Sequence, residues 1–108
     1  MSQPHPFGAL LTHYRERKTG LTQKCLAHQM GCDAALLTRM ASGQKDLTGP
    51  SGRDRVLRLL AVLIDEGVLY SLAEANALLV AARMHPLYAG FAEEMALIDA
   101  LPGDELAT

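Results

Sequence analysis

Two cysteines and a histidine that lie close together in the sequence are the residues best suited to metal chemistry. Cys25, His28 and Cys32 are of the types that bind zinc, but a structural zinc site needs four ligands, and no fourth follows at a familiar spacing. We therefore interpret both cysteines as free, half-buried packing residues. The four histidines share no spacing, so surface or packing roles are expected for them. The sequence predicts no metal site and no cofactor.

The residue patterns of the common catalytic sites do not occur in this sequence. It contains no phosphate-binding loop, no nucleophile elbow and no pair of carboxylates set against a histidine. We therefore expect that the chain is not an enzyme.

Length and composition indicate one helical domain. The 108 residues match the size of a single domain, and 49% of them are hydrophobic and 20% charged. With 5% aromatic residues and no tryptophan, the core must consist mainly of Leu, Ala, Val and Met, which suit helices better than sheets. The sequence begins without a secretion signal, and no apolar stretch approaches the length of a bilayer span. We expect a cytoplasmic protein with no membrane contact.

Charge is distributed unevenly along the chain, although the formal net charge is only −2. Residues 13–58 contain nine of the ten Lys and Arg residues and four acids. From residue 59 onward, Arg83 is the single base against eight acids. Such an asymmetry predicts one basic and one acidic surface, and the basic one would suit nucleic acid.

Apolar residues recur at helical spacing between Gly and Pro breaks, which predicts six short helices and no strands. The expected spans are about 7–18, 23–30, 34–42, 53–66, 72–84 and 91–101, with a surface loop over 44–52. Ser71 and Glu74 form a capping box at the start of the fifth helix. In the last helix, Phe91, Met95 and Ile98 are expected to face the body of the domain.

The most informative stretch runs from Gly20 to Gly43 and predicts two helices joined by a tight turn. Thr22 is a good N-cap for the first helix, and Gly31 falls at the turn, where a side chain would be awkward. Ala27 lies four residues earlier, where a small residue lets the two helices approach closely. The residues expected to hold the pair together from within are Leu26, Leu37 and Met40. This geometry would let the second helix project outward and enter a major groove.

With these features the sequence resembles the Xre/Cro family of helix-turn-helix domains, which includes phage repressors. The resemblance covers about residues 7–66 and rests on Leu21, Thr22, Gln23, Leu26, Ala27, Gly31, Leu37, Arg39 and Gly43. It implies a lambda-repressor-like, all-α, compact bundle of five to six short helices. The implied organisation is a flexible lead-in at 1–6, a helix-turn-helix core at 7–66, a helical extension packed on the same domain at 67–102, and a flexible tail at 103–108.

A narrower resemblance concerns the C-terminal part of the chain. Residues 72–79, followed by an Arg-Met-His-Pro-Leu turn at 83–87, are similar to the end of N-terminal helix-turn-helix domains in large bacterial regulators. In those proteins the domain precedes a signal-transduction ATPase module. This resemblance implies a fused regulatory module as a partner, and a chain that is an excised module or a shortened relative.

The Xre/Cro resemblance also implies which residues contact DNA. Phosphate contacts are expected from Gln23, flanked by Thr22 and Lys24, and from the loop residues Gln44 and Lys45. The expected base-reading positions are Asp33, Ala34, Ala35, Thr38 and Arg39. The leading hypothesis is therefore a DNA-binding transcriptional regulator, or the DNA-binding module of one, that acts on double-stranded DNA as a homodimer.

The expected base-reading positions carry fewer hydrogen-bonding side chains than those of repressors that read a specific sequence. Ala34 and Ala35 cannot hydrogen-bond to a base edge, which leaves Arg39 as the residue suited to a bidentate contact with guanine. Leu36 is either half-buried at the helix edge or part of an apolar protein-contact patch with the two alanines. The alternative hypothesis is thus a protein-interaction module that keeps the helix-turn-helix scaffold but has lost base reading.

A second surface for protein contact is expected after the fifth helix. Leu87 and Tyr88, with Phe91 nearby, form a candidate surface for a protein partner or for self-association within the acidic half of the chain.

Overall fold

The computed structural model describes residues 6–42 and 50–101, which form six α-helices and no strand. The helices are α1 (Pro6–Arg15), α2 (Gln23–Met30), α3 (Ala34–Ser42), α4 (Pro50–Asp65), α5 (Leu72–Ala81) and α6 (Ala92–Ala100). The radius of gyration is 13.3 Å, close to the roughly 13 Å expected for a compact domain of 100 residues. The prediction of a small all-helical bundle is confirmed.

Three helix boundaries differ from the predicted ones for local reasons. Helix α4 begins at Pro50, inside the predicted loop, because proline is well suited to the first helical position. Helix α1 ends at Arg15, after which the chain forms a turn. Helix α5 ends at Ala81 because Arg83 adopts a left-handed conformation, with φ of 63°. The amides of Arg83 and Met84 then bond back to the last turn, closing the helix.

The core is built almost entirely from aliphatic side chains at the predicted helical spacing. Helix α1 packs against α3 and α5, α2 packs against α3 and α4, and α6 contacts α4. The largest fully buried side chains are Phe7, Leu11, Leu26, Leu37, Met40, Val56, Leu59, Leu60, Leu63, Leu69, Leu78 and Leu79. This single core positions α2 and α3 against the rest of the bundle.

Helices α1 and α3 approach each other closely at Gly8, for which the sequence pattern predicts no role. A Cβ atom at Gly8 would lie 2.1 Å from the carbonyl oxygen of Ala41, which is a backbone atom. The contact therefore requires glycine at this position, and it fixes the C-terminal end of α3 against α1.

An ion pair between Arg17 and Glu74 fastens the end of α1 to the start of α5. Two parallel bonds of 2.7 Å join the guanidinium to the carboxylate, and Arg17 also donates to the Val68 carbonyl at 3.0 Å. The carboxylate accepts a further bond of 2.8 Å from the Tyr70 amide. The guanidinium lies over the rings of Tyr14 and Tyr70, at 4.6 and 4.1 Å from their centroids. We call this set the Arg17–Glu74 clamp.

A second clamp of the same type, between Arg53 and Glu94, fastens α6 to α4. Its two bonds measure 3.0 and 2.7 Å, and Arg53 also donates to the carbonyls of His85 and Pro86. The Glu94 carboxylate accepts a bond of 2.8 Å from the Tyr88 amide. Glu94 is 5% exposed, and among the described residues it is the only charged residue that is buried. Burial of this ion pair fixes the rotation of α6 about its axis.

The predicted inward face of α6 is wrong. Phe91 and Met95 are exposed, at 54% and 38%, and Ile98 is half-buried. The inward residues are Glu94, Leu97 and Leu101. The cause is the Arg53–Glu94 clamp, which turns the side of α6 that carries Glu94 toward α4 and leaves the apolar residues on the flank outside.

Basic residues of the N-terminal half form ion pairs with acidic residues of the C-terminal half. Besides the two clamps, Lys18 at the end of α1 forms an ion pair with Glu66, which also accepts a hydrogen bond from Gln29. Bases of the N-terminal half are therefore neutralised by acids of the C-terminal half at three places within the described chain. These ion pairs bring opposite charges together in the fold, so the asymmetry along the sequence is partly compensated on the surface.

The close approach at Gly8 yields a first prediction. Gly8→Ala should destabilise the domain by about 1–3 kcal/mol because the added methyl forces α1 and α3 apart. Alanine alone would favour the helix by roughly 1 kcal/mol, so the expected sign is opposite to that of helix propensity. Urea unfolding measures the difference. Ala9→Gly at the neighbouring exposed position shows the propensity effect by itself. A Gly8→Ala variant as stable as the wild type would contradict the close contact.

A second prediction concerns acid stability. The pKa of Glu74 lies below its ordinary value of 4.5, mainly because Arg17 hydrogen-bonds to the charged carboxylate. The clamp therefore contributes fully above that ordinary value, and its contribution is lost as the pH falls through the lower, folded-state pKa. Glu74→Gln should lower the free energy of unfolding at neutral pH by about 1–3 kcal/mol and reduce its decline in acid.

Urea unfolding of wild type and Glu74→Gln across acidic and neutral pH measures this effect. The control is Glu16→Gln, because Glu16 is exposed and forms no ion pair with the described residues. Parallel curves for wild type and Glu74→Gln at all pH values would show that the clamp does not contribute to acid sensitivity.

Candidate nucleic-acid interface

The turn between α2 and α3 depends on Gly31. Its φ and ψ are 77° and 30°, in the left-handed region, and its amide bonds to the His28 carbonyl at 3.1 Å. The following amide, of Cys32, bonds to the Ala27 carbonyl at 2.9 Å. This pattern ends α2 and redirects the chain into α3 after two more residues. A Cβ at Gly31 would meet nothing within 4 Å, so conformation rather than space requires glycine.

The start of α2 is capped as expected. The Thr22 hydroxyl accepts a hydrogen bond of 3.1 Å from the Cys25 amide, and the Thr22 carbonyl accepts the Leu26 amide. Gly20, with φ of 85°, brings the chain into this position from the end of α1. Capping by Thr22 leaves the first amides of α2, at Gln23 and Lys24, directed outward at the positive end of the helix.

A hydrogen bond joins the two helices at their exposed edge. The Thr38 hydroxyl of α3 donates to the side-chain carbonyl of Gln23 at the start of α2, at 3.2 Å. Gln23 is half-buried and Thr38 is exposed. This bond brings together a predicted phosphate-contacting residue and a predicted base-reading residue from different helices. The side-chain amide nitrogen of Gln23 has no hydrogen-bond partner among the described residues and can act as a donor.

The outer side of α3 is a continuous exposed stripe. It consists of Ala35, Thr38, Arg39 and Ser42, which recur at helical spacing, while Leu37 and Met40 on the other side are fully buried. Asp33 is also exposed and directly precedes the helix, whereas Ala34 is half-buried. We call the four exposed residues the α3 stripe.

Leu36 is half-buried and packs against the core at the edge of α3. It borders a concave region of about 690 Å³ together with Met30, Cys32, Arg55 and Arg58. Its burial means that the α3 stripe carries no large apolar side chain. The apolar protein-contact patch of the alternative hypothesis is therefore smaller than expected, because Ala34 and Leu36 are half-buried and only Ala35 is exposed.

The cysteines occupy different environments. Cys32 is half-buried as expected, and burial raises the pKa of its thiol. Cys25 is exposed, contrary to expectation, because Leu26, Ala27 and Met30 form the inward side of α2. A hydrogen bond from Thr22 lowers the pKa of the Cys25 thiol. Among residues 6–42 and 50–101, no group of three or more His, Cys, Asp or Glu side chains is arranged to hold a metal ion.

The arginines of α4 have separate roles. Arg53 is held in the Arg53–Glu94 clamp, and Arg58 forms an ion pair of 3.3 Å with Asp54 one turn earlier. Arg55 is half-buried beside the concave region next to α3. Of the basic residues expected to contact DNA, Lys24 and Arg39 are exposed and form no ion pair within the described chain.

The remaining predicted residues lie elsewhere or outside the described part. Gln44 and Lys45 fall outside the described residues. Leu87 is half-buried, with its amide bonded to the Asn76 side chain at 2.9 Å. Tyr88 is 57% exposed and stacks edge to face with Phe91, at 5.3 Å between ring centroids. These residues adjoin α6 rather than the α2–α3 pair.

The turn yields a third prediction. Gly31→Ala should destabilise the domain by about 1–2 kcal/mol, the cost of holding an L-residue in the left-handed region. Gly31→Asn should cost less, because asparagine adopts that conformation more readily. Urea unfolding of the two variants at neutral pH measures the difference. Equal costs would show that the turn does not depend on the left-handed conformation.

Comparison with known proteins assigns this chain to no family. No protein-family model, no curated protein and no solved structure matches it. None of the described helices is both long and apolar enough to cross a membrane.

Proposed function

We propose that this chain is a double-stranded DNA-binding domain that acts as a transcriptional regulator, or as the DNA-binding module of one. Helix α3 enters the major groove and the start of α2 contacts the phosphate backbone. The observation that carries this proposal is the hydrogen bond between Gln23 and Thr38, which joins the start of α2 to the exposed α3 stripe. The two helices thereby present one surface of polar and small side chains.

The dimensions of α3 suit the major groove. An α-helix with its side chains is about 10–12 Å in diameter, and the groove is about 12 Å wide, so α3 fits within it. In this orientation Arg39 reaches the edge of a guanine, Thr38 bonds to a base or a phosphate, and Ala35 contacts a thymine methyl group. The small side chain of Ala35 allows the helix to approach the bases closely.

The start of α2 supplies the backbone contacts. The outward amides of Gln23 and Lys24 lie at the positive end of the helix, where an anion is favoured. The ammonium of Lys24 and the side-chain amide of Gln23 add two more donors. Contacts of this kind orient a protein on DNA without reading the sequence.

Internal ion pairing decides which cations remain for DNA. Arg17, Lys18 and Arg53 are bound to carboxylates of the C-terminal half. Lys24 and Arg39 are left without such partners in the described chain. A net charge of −2 is therefore compatible with a local positive surface.

One feature favours the alternative, a protein-interaction module on the same scaffold. Arg39 is the single cation of the α3 stripe, and Asp33 adds an exposed carboxylate directly before the same helix. These residues limit sequence discrimination to about the 1–3 kcal/mol of one bidentate contact. Binding to DNA of random sequence separates the two functions, because phosphate contacts do not need a specific site.

A fourth prediction tests the interface. Fluorescence anisotropy of a labelled random duplex should give micromolar or tighter binding at about 50 mM salt, weakening at least tenfold at about 200 mM. Arg39→Ala should weaken binding by about tenfold at the lower salt concentration, because it removes the central cation of the α3 stripe. Circular dichroism establishes that each variant is folded.

The matched control is Lys18→Ala. It changes the net charge by the same amount, but Lys18 is paired with Glu66 beyond the end of α1. The affinity of Lys18→Ala for the duplex should stay within about twofold of wild type. Equal losses for both variants would indicate an attraction that does not involve α3. No binding at tens of micromolar by the folded protein would overturn DNA binding and leave protein interaction as the function.

A further inference from the structure

A groove lies on the side of the domain formed by α4, the segment after α5, and the start of α6. Its volume is about 830 Å³, and its apolar lining includes Leu57, Met84 and Ala92. No residue of α2 or α3 borders it. The groove is thus separate from the proposed DNA interface, and its occupation leaves that interface open.

Exposed apolar side chains are concentrated beside this groove. Five large hydrophobic side chains are exposed among the described residues, and three of them, Tyr88, Phe91 and Met95, fall within one stretch at the start of α6. Phe91 borders the groove, and its edge-to-face contact with Tyr88 makes a projecting aromatic pair. Met95 follows one helical turn later. Clustered exposure of this kind is typical of an interaction surface.

Some of the charged residues that line the groove are already paired within the chain, and those that remain are of opposite sign. Arg53 and Glu94 bind each other, and Asp54 is paired with Arg58. Arg83 and Glu93 also line the groove, are exposed, and form no ion pair or side-chain hydrogen bond with described residues. The surface therefore carries one available cation and one available anion.

We infer that this surface binds a second copy of the chain about a two-fold axis. In such a contact the same patch meets itself, so each feature must find its complement on that patch. Here the aromatic pair of one copy enters the groove of the other, and Arg83 of each copy faces Glu93 of its partner. A purely acidic or purely basic partner would place like charges against one of these two residues, whereas a second copy satisfies both.

Arg83 stands at the turn that follows α5. Arg83 holds a left-handed conformation, which costs an L-residue about 1–2 kcal/mol. Glycine closes the corresponding turns at Gly31 and Gly67 without that cost. The turn leaves the Arg83 side chain exposed at the groove, where the proposed contact gives its charge a partner.

Sedimentation equilibrium tests the inference, and it does not depend on DNA binding. Wild type between about 5 and 500 µM should shift from 11.6 kDa toward twice that mass, because this concentration range spans a dissociation constant of micromolar order. Phe91→Ser should raise the dissociation constant at least about tenfold, because the change acts twice in a two-fold interface. Phe91 is exposed, so the fold should survive.

Two further comparisons make the test specific. Val80→Ser removes an exposed apolar side chain that does not border the groove, and it should leave the mass unchanged from wild type. Arg83→Glu and Glu93→Arg should each weaken association, and the double variant should restore it by exchanging the two charges. A wild type that stays at 11.6 kDa throughout, or a double variant no better than the singles, would overturn the proposed interface.

Discussion

Two clamps of one design connect the parts of this domain that are distant in sequence. In each, an arginine from the N-terminal half forms two bonds with a glutamate from the C-terminal half, across 57 residues for Arg17–Glu74 and 41 for Arg53–Glu94. Each guanidinium also donates to a backbone carbonyl, and each carboxylate accepts a backbone amide. Such fully bonded pairs are stronger than isolated surface pairs, and removing one partner is costly because it leaves the other buried and unpaired.

The clamps also determine which surfaces are available for binding. They bind basic residues after the end of α1 and at the start of α4, so the exposed, unpaired positive charge of the described residues at the α2–α3 pair comes from Lys24 and Arg39. The Arg53–Glu94 clamp sets the rotation of α6 and thereby leaves Phe91 and Met95 outside. One electrostatic arrangement thus shapes both the proposed DNA interface and the proposed dimer interface.

Most of the fold could be predicted because its signals are local. The caps at Thr22 and Ser71 and the turn at Gly31 each involve residues within one helical turn, so the sequence shows them directly. The rotation of α6 could not be predicted, because periodicity favours an apolar face and the partner of Glu94 lies on α4. The role of Gly8 depends on the backbone of α3, and no sequence pattern marks it. For the proposed DNA interface, the sequence predicts the residues, and the exposed α3 stripe and the Gln23–Thr38 bond show how those within the described chain are arranged.

The placement of the tyrosines has a spectroscopic consequence. The chain contains three tyrosines and no tryptophan, so its intrinsic fluorescence comes from tyrosine alone. Tyr14 and Tyr70 both contact Arg17, whereas Tyr88 donates its amide to Glu94 and exposes its ring beside α6. The emission of the unlabelled protein therefore contains separate reporters for two places in the fold: Tyr14 and Tyr70 sense the junction of α1 with α5, and the Tyr88 ring senses events at α6.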